Sequence, residues 1–353
     1  TLDRSSAASD VYKRQIIYNN IREFMRDIVI SDLSFSNLTL LGKTLESIVS
    51  QEKEITLDLR KLPFCKPEQI LHLALILKDF KRRKKAPATI LIDNKSKITS
   101  YLSHIGFFNL IDLPYGKNIG FASGSNSYVP IREIKKTSLL NTSFETGESL
   151  QKLIQFEAES LTRVLLGSSV RTSNFSIISY SIREAIRNAI EHSDQDICYI
   201  CGQKWITGQS QITVADEGIG IYESFKRGSI NSILIEDCLE SAVKPGFSRT
   251  ANLSDEQNIH DNSGYGLYVL YEIARNYGYL TLSSSNKFLS TNREKITKKG
   301  DSYHPGTLLS LTFDAYPGDA RDLLEMIIEA GEEEALLEGR KKSSKRSKSL
   351  ISD

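Results

Sequence analysis

The sequence has 353 residues, with 45 basic and 44 acidic side chains, so its net charge of +1 provides no overall attraction to nucleic acid or anionic lipid. Its longest apolar stretch, at 70–77, is far shorter than the ~20 residues that cross a bilayer, and we expect no membrane contact. No secretory signal is visible, and four cysteines do not form a disulfide framework, which favours a reducing cytoplasm.

The first fifteen residues, TLDRSSAASDVYKRQ, show no periodicity and no apolar anchor. Strings of this kind arise from translated adaptor sequence, so we expect residues 1–15 to be an artefact or disordered. The first predicted domain therefore spans residues 16–119.

Strand and helix patterns alternate between residues 55 and 113. Apolar and β-branched residues predict strands at 55–62 and 88–93, and helical periodicity follows each strand, at 68–85 and 95–107. This order predicts a small α/β domain. The polar stretch GFASGSNS begins at residue 120, and we predict a linker over 120–148.

This first domain resembles the STAS domain, the fold of anti-sigma-factor antagonists. The resemblance is carried by LDLRKLPF at 57–64, ILID at 90–93 and ITSYLSHIGF at 98–107. Where that family usually carries an acidic residue and a phosphorylatable serine, this chain has CKPEQ at 65–69, so a phosphoacceptor role does not follow. An unrelated small α/β scaffold remains an alternative.

The second half of the chain predicts helices and strands in a different order. Helices are predicted at 147–166, 182–193, 231–243 and 266–278, and strands at 197–205, 210–216 and 306–313, with one or two further strands before the last. Helices on one side of a mixed sheet would form a two-layer α/β sandwich over 149–316. Cys198 and Cys201 lie within one predicted strand and would point to opposite faces, which favours core cysteines over a zinc site.

The helix IREAIRNAIEHS at 182–193 has two different sides. Ile182, Ala185, Ile186, Ala189 and Ile190 cluster on one side, which can pack against a sheet, whereas the opposite side carries Glu184, Asn188, Glu191 and His192. The polar side can be a solvated face on which Arg187 pairs with Glu184 and Glu191. It can also be one wall of a binding site.

Two glycine motifs follow this helix. VADEGIGI at 214–221 places Asp216 at the end of a strand, where an exposed carboxylate can accept a hydrogen bond from an exocyclic amino group. NSGYGLYVL at 262–270 places Gly264 and Gly266 before a helix, where backbone amides suit phosphate. Taken singly, each motif also fits an ordinary turn.

The order of these motifs resembles the Bergerat fold of the GHKL ATPases, the superfamily of gyrase, Hsp90, MutL and histidine kinases. The matching features are the Glu-x-x-x-Asn helix, the Asp-x-Gly-x-Gly strand end, the Gly-x-Gly helix start and a terminal Gly-Thr strand. They cover residues 150–315, about half of the chain. The resemblance implies ATP and Mg²⁺ as ligands and a histidine kinase-like ATPase domain over 149–316.

The resemblance also implies roles for individual residues. Asn188 would coordinate Mg²⁺, Glu184 would polarise an attacking water or orient an acceptor, and His192 would lie near the phosphates. Asp216 would contact the adenine amino group, with Thr307 supporting that contact through water. The remaining nucleotide-binding positions are Gly218, Gly220, Gly264 and Gly266, and residues 244–263 would form a mobile lid.

Histidine autophosphorylation is not expected, because none of the five histidines lies in the HELRTP-like segment of sensor kinases. The resemblance favours a regulatory ATPase that switches contacts with a protein partner. A serine/threonine kinase resembling anti-sigma factors and a nucleotide-gated binding module with little turnover remain alternatives. Residues 317–353 predict an amphipathic helix and a solvated basic tail; a nucleic-acid contact through the tail, and a homodimer, stay open.

Overall fold

The computed structural model describes residues 26–125, 127–167, 172–228, 230, 232–248, 264–314, 320–340 and 343. Strands in these residues are β1 (Arg26–Val29), β2 (Ile55–Asp58), β3 (Ala88–Leu91), β4 (Tyr128–Lys135), β5 (Ile197–Lys204), β6 (Ser210–Asp216), β7 (Gly278–Ser284), β8 (Lys287–Asn292), β9 (Thr297–Asp301) and β10 (Thr307–Phe313). Helices are α1 (Phe35–Ile48), α2 (Pro67–Arg83), α3 (Lys97–Ile105), α4 (Phe107–Leu110), α5 (Lys136–Thr146), α6 (Leu150–Leu166), α7 (Ser173–His192), α8 (Gly220–Arg227), α9 (Cys238–Ala242), α10 (Gly266–Tyr277) and α11 (Ala320–Leu337).

These elements form two sheets. The first is a parallel sheet of three strands in the order β1-β2-β3, and the second is an antiparallel sheet of seven strands in the order β4-β5-β6-β10-β7-β8-β9. The chain is therefore a mixed α/β protein, which confirms the predicted fold class. No helix in the described ranges has the length and apolar character needed to cross a bilayer.

The strand and helix alternation predicted for the N-terminal part is confirmed, with β1 and α1 preceding it. Helix α2 begins at Pro67, whose missing N–H costs nothing at a first helical position, and Gln69 Oε1 accepts a hydrogen bond from the backbone N–H of Lys66 at 2.9 Å. Nearly the whole run at 70–77 is buried. This helix is buried around most of its circumference because it lies between the two sheets.

The seven-stranded sheet is covered on both faces. One face packs against α6, α7 and α10, and α11 joins the same apolar cluster by packing on α7 and α10. The other face packs against α2 through Tyr199, Cys201, Ala215 and Leu308. The predicted two-layer sandwich therefore acquires a third layer from the N-terminal part of the chain. Cys198 lies in the first cluster and Cys201 in the second, both as free thiols, which confirms the prediction of core cysteines.

Several segments differ from the predicted elements. The predicted linker contains β4, which is an edge strand of the large sheet, and α5. The helix predicted at 231–243 is helical only in α9, α8 was predicted as a turn, and four strands rather than two or three follow α10. Residues 1–15, residues 249–263 of the predicted lid and most of the basic tail lie outside the described residues.

Candidate functional site

One pocket collects most of the predicted site residues. It lies between α7, the end of β6 and the beginning of α10, has a volume of about 100 Å³ and is partly open to solvent. The predicted residues that line it come from four separate segments and are Asn188, His192, Asp216, Gly220, Gly264, Gly266 and Thr307. Apolar side chains, among them Val214, Phe225 and Leu282, complete its wall.

Helix α7 supplies one side of this pocket. Its N-terminus is capped by Thr172, whose hydroxyl accepts a hydrogen bond from the backbone N–H of Phe175 at 3.3 Å. The apolar residues of the predicted inner side are buried against the sheet, which turns Asn188 and His192 toward the pocket. The Nδ2 atom of Asn188 is buried and has no hydrogen-bond partner among the described residues. An unpaired buried amide is costly, so a ligand that satisfies it would gain affinity.

Glu184 is held in an ion-pair network one turn before Asn188. It is only 3% exposed, and its Oε1 atom lies 2.6 Å from Nη2 of Arg183 and 3.5 Å from Nη1 of Arg187. Arg187 also lies 3.4 Å from Glu191, which confirms the pairs predicted from spacing. Burial acts to raise the pKa of Glu184, but Arg187 and Arg183 together lower the pKa below its ordinary value. Glu184 is therefore a buried carboxylate.

Glu184 does not line the pocket directly, but it contacts the start of α10. A Cβ atom at Gly266 would lie 2.5 Å from Oε2 of Glu184, so a larger residue there would displace the Glu184 carboxylate. The role predicted for Glu184 requires one carboxylate oxygen to be available. Its Oε1 is occupied by Arg183, and Oε2 faces the glycine turn at 264–266.

Asp216 ends strand β6 and contacts two backbone amides. Its Oδ1 accepts hydrogen bonds from the N–H of Gly218 at 2.8 Å and from the N–H of Thr307 at 3.3 Å. The sequence predicts an exposed carboxylate, but Asp216 is only 3% exposed, because β5 and β10 flank it and the pocket wall covers it. Burial raises the pKa of Asp216 to about 7, although both amides lower it. A group poised in this way is typical of a functional site.

Gly218 and Gly220 follow Asp216 and allow the chain to turn into α8. Gly218 does not line the pocket, but a Cβ atom there would overlap Ser193 at the end of α7, so this glycine brings the turn against the helix. The N–H of Ile219 then donates to the backbone oxygen of Ser193 at 3.0 Å. The glycines of the motif thus fix the floor of the pocket to α7.

Sequence reasoning missed three residues that hold this floor together. Gly306 has a φ of 140°, and a Cβ atom there would overlap the backbone oxygen of Asp216. Ser284 Oγ lies 3.0 Å from Thr307 Oγ1 and accepts from the N–H of Ile221 at 3.0 Å, so it joins β7, β10 and α8. Ser285 Oγ accepts from the next N–H of α8 at 3.1 Å. The Gly-Thr pair at the start of the last strand could have identified Gly306 as part of the site. No local sequence pattern indicates the role of Ser284 or Ser285.

The glycine turn before α10 forms the third side of the pocket. Gly264 has a φ of 76°, and Gly266 is the first residue of the helix, so the first-turn backbone N–H groups, which have no partner within the helix, begin there. The described residues contain no group of three or more His, Cys, Asp or Glu side chains that could hold a metal ion. A cation at this site would therefore need oxygen ligands from Asn188 and from a bound anion.

The comparisons with known proteins leave the site to be judged by its geometry. No family model matches the chain, and no curated protein matches it either. The arrangement combines a buried carboxylate, a glycine-rich helix start and an amide without a partner in the described part of the chain, all in one partly open pocket.

Proposed function

We propose that this chain binds Mg²⁺-ATP in the pocket between α7, β6 and α10 and uses it to switch contacts with a protein partner. One observation carries the proposal: seven predicted residues from four separate chain segments line a single pocket. Segments far apart in the sequence meet at one site only through the tertiary fold, so their meeting supports the GHKL-type interpretation over four unrelated turns. The N-terminal part, which resembles a STAS domain, would belong to the regulatory apparatus.

The base would bind at the Asp216 end of the pocket. Its carboxylate can accept a hydrogen bond from the adenine amino group, whereas guanine presents an oxygen acceptor at the corresponding position. The pocket has a volume of about 100 Å³, below the ~300 Å³ at which small-molecule sites usually begin. We therefore place only the base between its apolar side chains and the phosphates toward solvent.

The phosphates would lie beside Gly264 and Gly266, where backbone N–H groups and the positive end of the α10 dipole favour anions. His192 lines the same pocket and can donate a hydrogen bond to them. The buried amide of Asn188 fits a magnesium ligand, because rotation about its terminal bond exchanges Nδ2 with Oδ1. Magnesium would supply charge neutralisation between this amide and the phosphate oxygens.

The position of Glu184 favours binding without rapid turnover as a second candidate function. A general base needs a free oxygen within reach of the attacking water, and the Arg183 and Arg187 ion pairs hold Oε1 of Glu184. Hydrolysis at Glu184 would proceed through Oε2 or would require the network to rearrange. The four free, buried cysteines support a reducing, cytoplasmic setting for either function.

Titration calorimetry with ATP, in the presence and absence of Mg²⁺, tests the proposal. We expect magnesium-dependent ATP binding that GTP does not compete with equally. Absence of ATP binding, or equal competition by GTP, would overturn it. Incubation with γ-labelled ATP then separates the functions: free phosphate indicates an ATPase, labelled protein a serine/threonine kinase, and intact bound ATP a binding module.

A further inference from the structure

Helix α2 of the N-terminal part reaches the back of the proposed nucleotide pocket. Successive residues of a strand point to opposite faces of a sheet, so Asp216 faces the pocket while Ala215 and Glu217 face α2. The residue that would read the base and the residue that contacts α2 are therefore adjacent in the chain. Any rotation of this strand end moves both of them.

Glu217 is bound by two basic side chains of α2. Its Oε2 accepts a hydrogen bond from Nζ of Lys78 at 2.6 Å, and its Oε1 lies 3.5 Å from Nη1 of Arg82. Glu217 and Lys78 are largely buried, with side chains 10% and 20% exposed. Lys78 also donates a hydrogen bond to the hydroxyl of Tyr199 on β5. Ion pairs this far from water have defined geometry, so Lys78 fixes the position of Glu217.

A second contact from α2 reaches the segment that leads into β10, the strand that pairs with Asp216. His72 is fully buried, and its Nε2 donates to the backbone oxygen of Tyr303 at 2.6 Å. Its ring packs 5.6 Å from that of His304, whose Nε2 lies 3.3 Å from the backbone oxygen of Asp216. Helix α2 thus contacts the residue that follows Asp216 and the segment that precedes its partner strand β10.

We propose that Lys78 is a positioning residue for the nucleotide pocket, acting through Glu217 to hold Asp216 in its binding orientation. This inference rests on the proposed function, and it extends that function by making the N-terminal part of the chain necessary for full nucleotide affinity. Lys78 itself does not touch the ligand. A partner that displaces α2 would, by the same contact, release the nucleotide.

Replacing Lys78 tests this inference, with Lys81 as the matched control. Lys81 lies on the same helix and donates to the backbone oxygens of Ile111 and Asp112 at 2.7 and 3.0 Å, away from the pocket. We expect Lys78→Met to raise the Kd for ATP about tenfold, Lys78→Arg to stay within about threefold of the wild type, and Lys81→Met to leave the Kd unchanged. An equal loss in Lys78→Met and Lys81→Met would overturn the inference.

A double replacement separates positioning from general damage. If Lys78 acts through Glu217, Glu217→Gln should weaken ATP binding to a similar degree, and the combination with Lys78→Met should add little to either single change. Fully additive losses would show that Lys78 acts by another route. All affinities are compared at a temperature where each variant is folded by circular dichroism.

Hydrogen exchange gives a readout that does not depend on nucleotide. The N–H groups of Gly218 and Thr307 donate to Asp216, so Lys78→Met should speed exchange of both amides about tenfold while Lys81→Met leaves them unchanged. If the wild type binds no ATP, the proposed function fails, and faster exchange in Lys78→Met alone still supports the positioning role. Unchanged exchange in Lys78→Met would overturn that role in either case.

Discussion

Replacing Asp216 by Asn should stabilise the ligand-free protein and at the same time weaken ATP binding. Burial raises the pKa of Asp216 from an ordinary 3.8 to about 7, so the folded state holds a proton that the unfolded state releases between these pH values. Because the folded-state pKa is raised, the wild type loses stability as the pH rises from about 4 to about 7. The difference between the two pKa values corresponds to a loss of about 4 kcal/mol in the wild type's free energy of unfolding at pH 8.

Asn removes this ionisation while its Oδ1 can still accept from the N–H groups of Gly218 and Thr307. The gain in unfolding free energy of Asp216→Asn over the wild type should therefore be about 2.5 kcal/mol larger at pH 8 than at pH 5. With Oδ1 held by those amides, the new NH₂ group faces the ligand and opposes the adenine amino group. ATP affinity should fall by about 10- to 150-fold, which corresponds to ~1.5–3 kcal/mol.

Urea unfolding of both proteins between pH 5 and pH 8 measures the first effect, and calorimetry measures the second. Asp58→Asn is the matched control, because its bidentate pair with Arg60 lowers the pKa of Asp58 to about 2. Its contribution to stability is lost only as the pH falls from about 4 through about 2, so Asp58→Asn should show no pH-dependent gain between pH 5 and pH 8. A pH-independent difference for Asp216→Asn would refute the buried-carboxylate argument.

Three further substitutions test other parts of the site. Asn188→Ala should abolish the magnesium dependence of ATP affinity, which calorimetry with and without Mg²⁺ measures. It should change the free energy of unfolding by less than ~1 kcal/mol, because Nδ2 of Asn188 has no partner to lose among the described residues. Glu184→Gln should destabilise the protein by ~3 kcal/mol in urea unfolding, since it breaks a buried ion pair. If Glu184 is the base, the same change should lower turnover per folded molecule by ~10²–10⁴, and full turnover would exclude that role. Gly306→Ala should lower the free energy of unfolding by ~3 kcal/mol, because its Cβ atom would overlap the backbone oxygen of Asp216. Gly208 is also at positive φ but has no atom near the added Cβ, so Gly208→Ala should lower it by only ~1 kcal/mol. Equal melting temperatures of the two variants would contradict the packing argument.

Local periodicity predicted most of the regular elements because it reports which faces of a segment are buried. The helix predicted at 182–193 matches the second half of α7 and extends one residue past its end, the strand at 210–216 coincides with β6, and the last strand differs from β10 by one residue. The segment at 231–243 has an apolar pattern too, but only α9 is helical, since propensity alone does not stabilise a short helix.

The sequence alone also identified the chain segments that meet at the pocket, because glycines, a strand-end carboxylate and a polar helix face are local features. The sequence did not determine which partner each polar side chain of the site contacts. Helix α8 needs its first free amides capped by Ser284 and Ser285, more than sixty residues away, so no local pattern predicts it. From the sequence, Glu184 could have contacted either a ligand or an arginine. In the packed helix α7 its carboxylate pairs with Arg183 and Arg187.

The relation between the two halves of the chain was decided by tertiary structure. The run at 70–77 predicts a buried helix of a small domain, and nothing in it indicates that a second sheet covers its other side. The physical reason is that burial is a property of long-range contacts, whereas a sequence pattern records only which residues tolerate burial. The sequence therefore determined most of the elements and the candidate ligand contacts, and the packing of α2 on the large sheet determined that Lys78 lies behind Asp216.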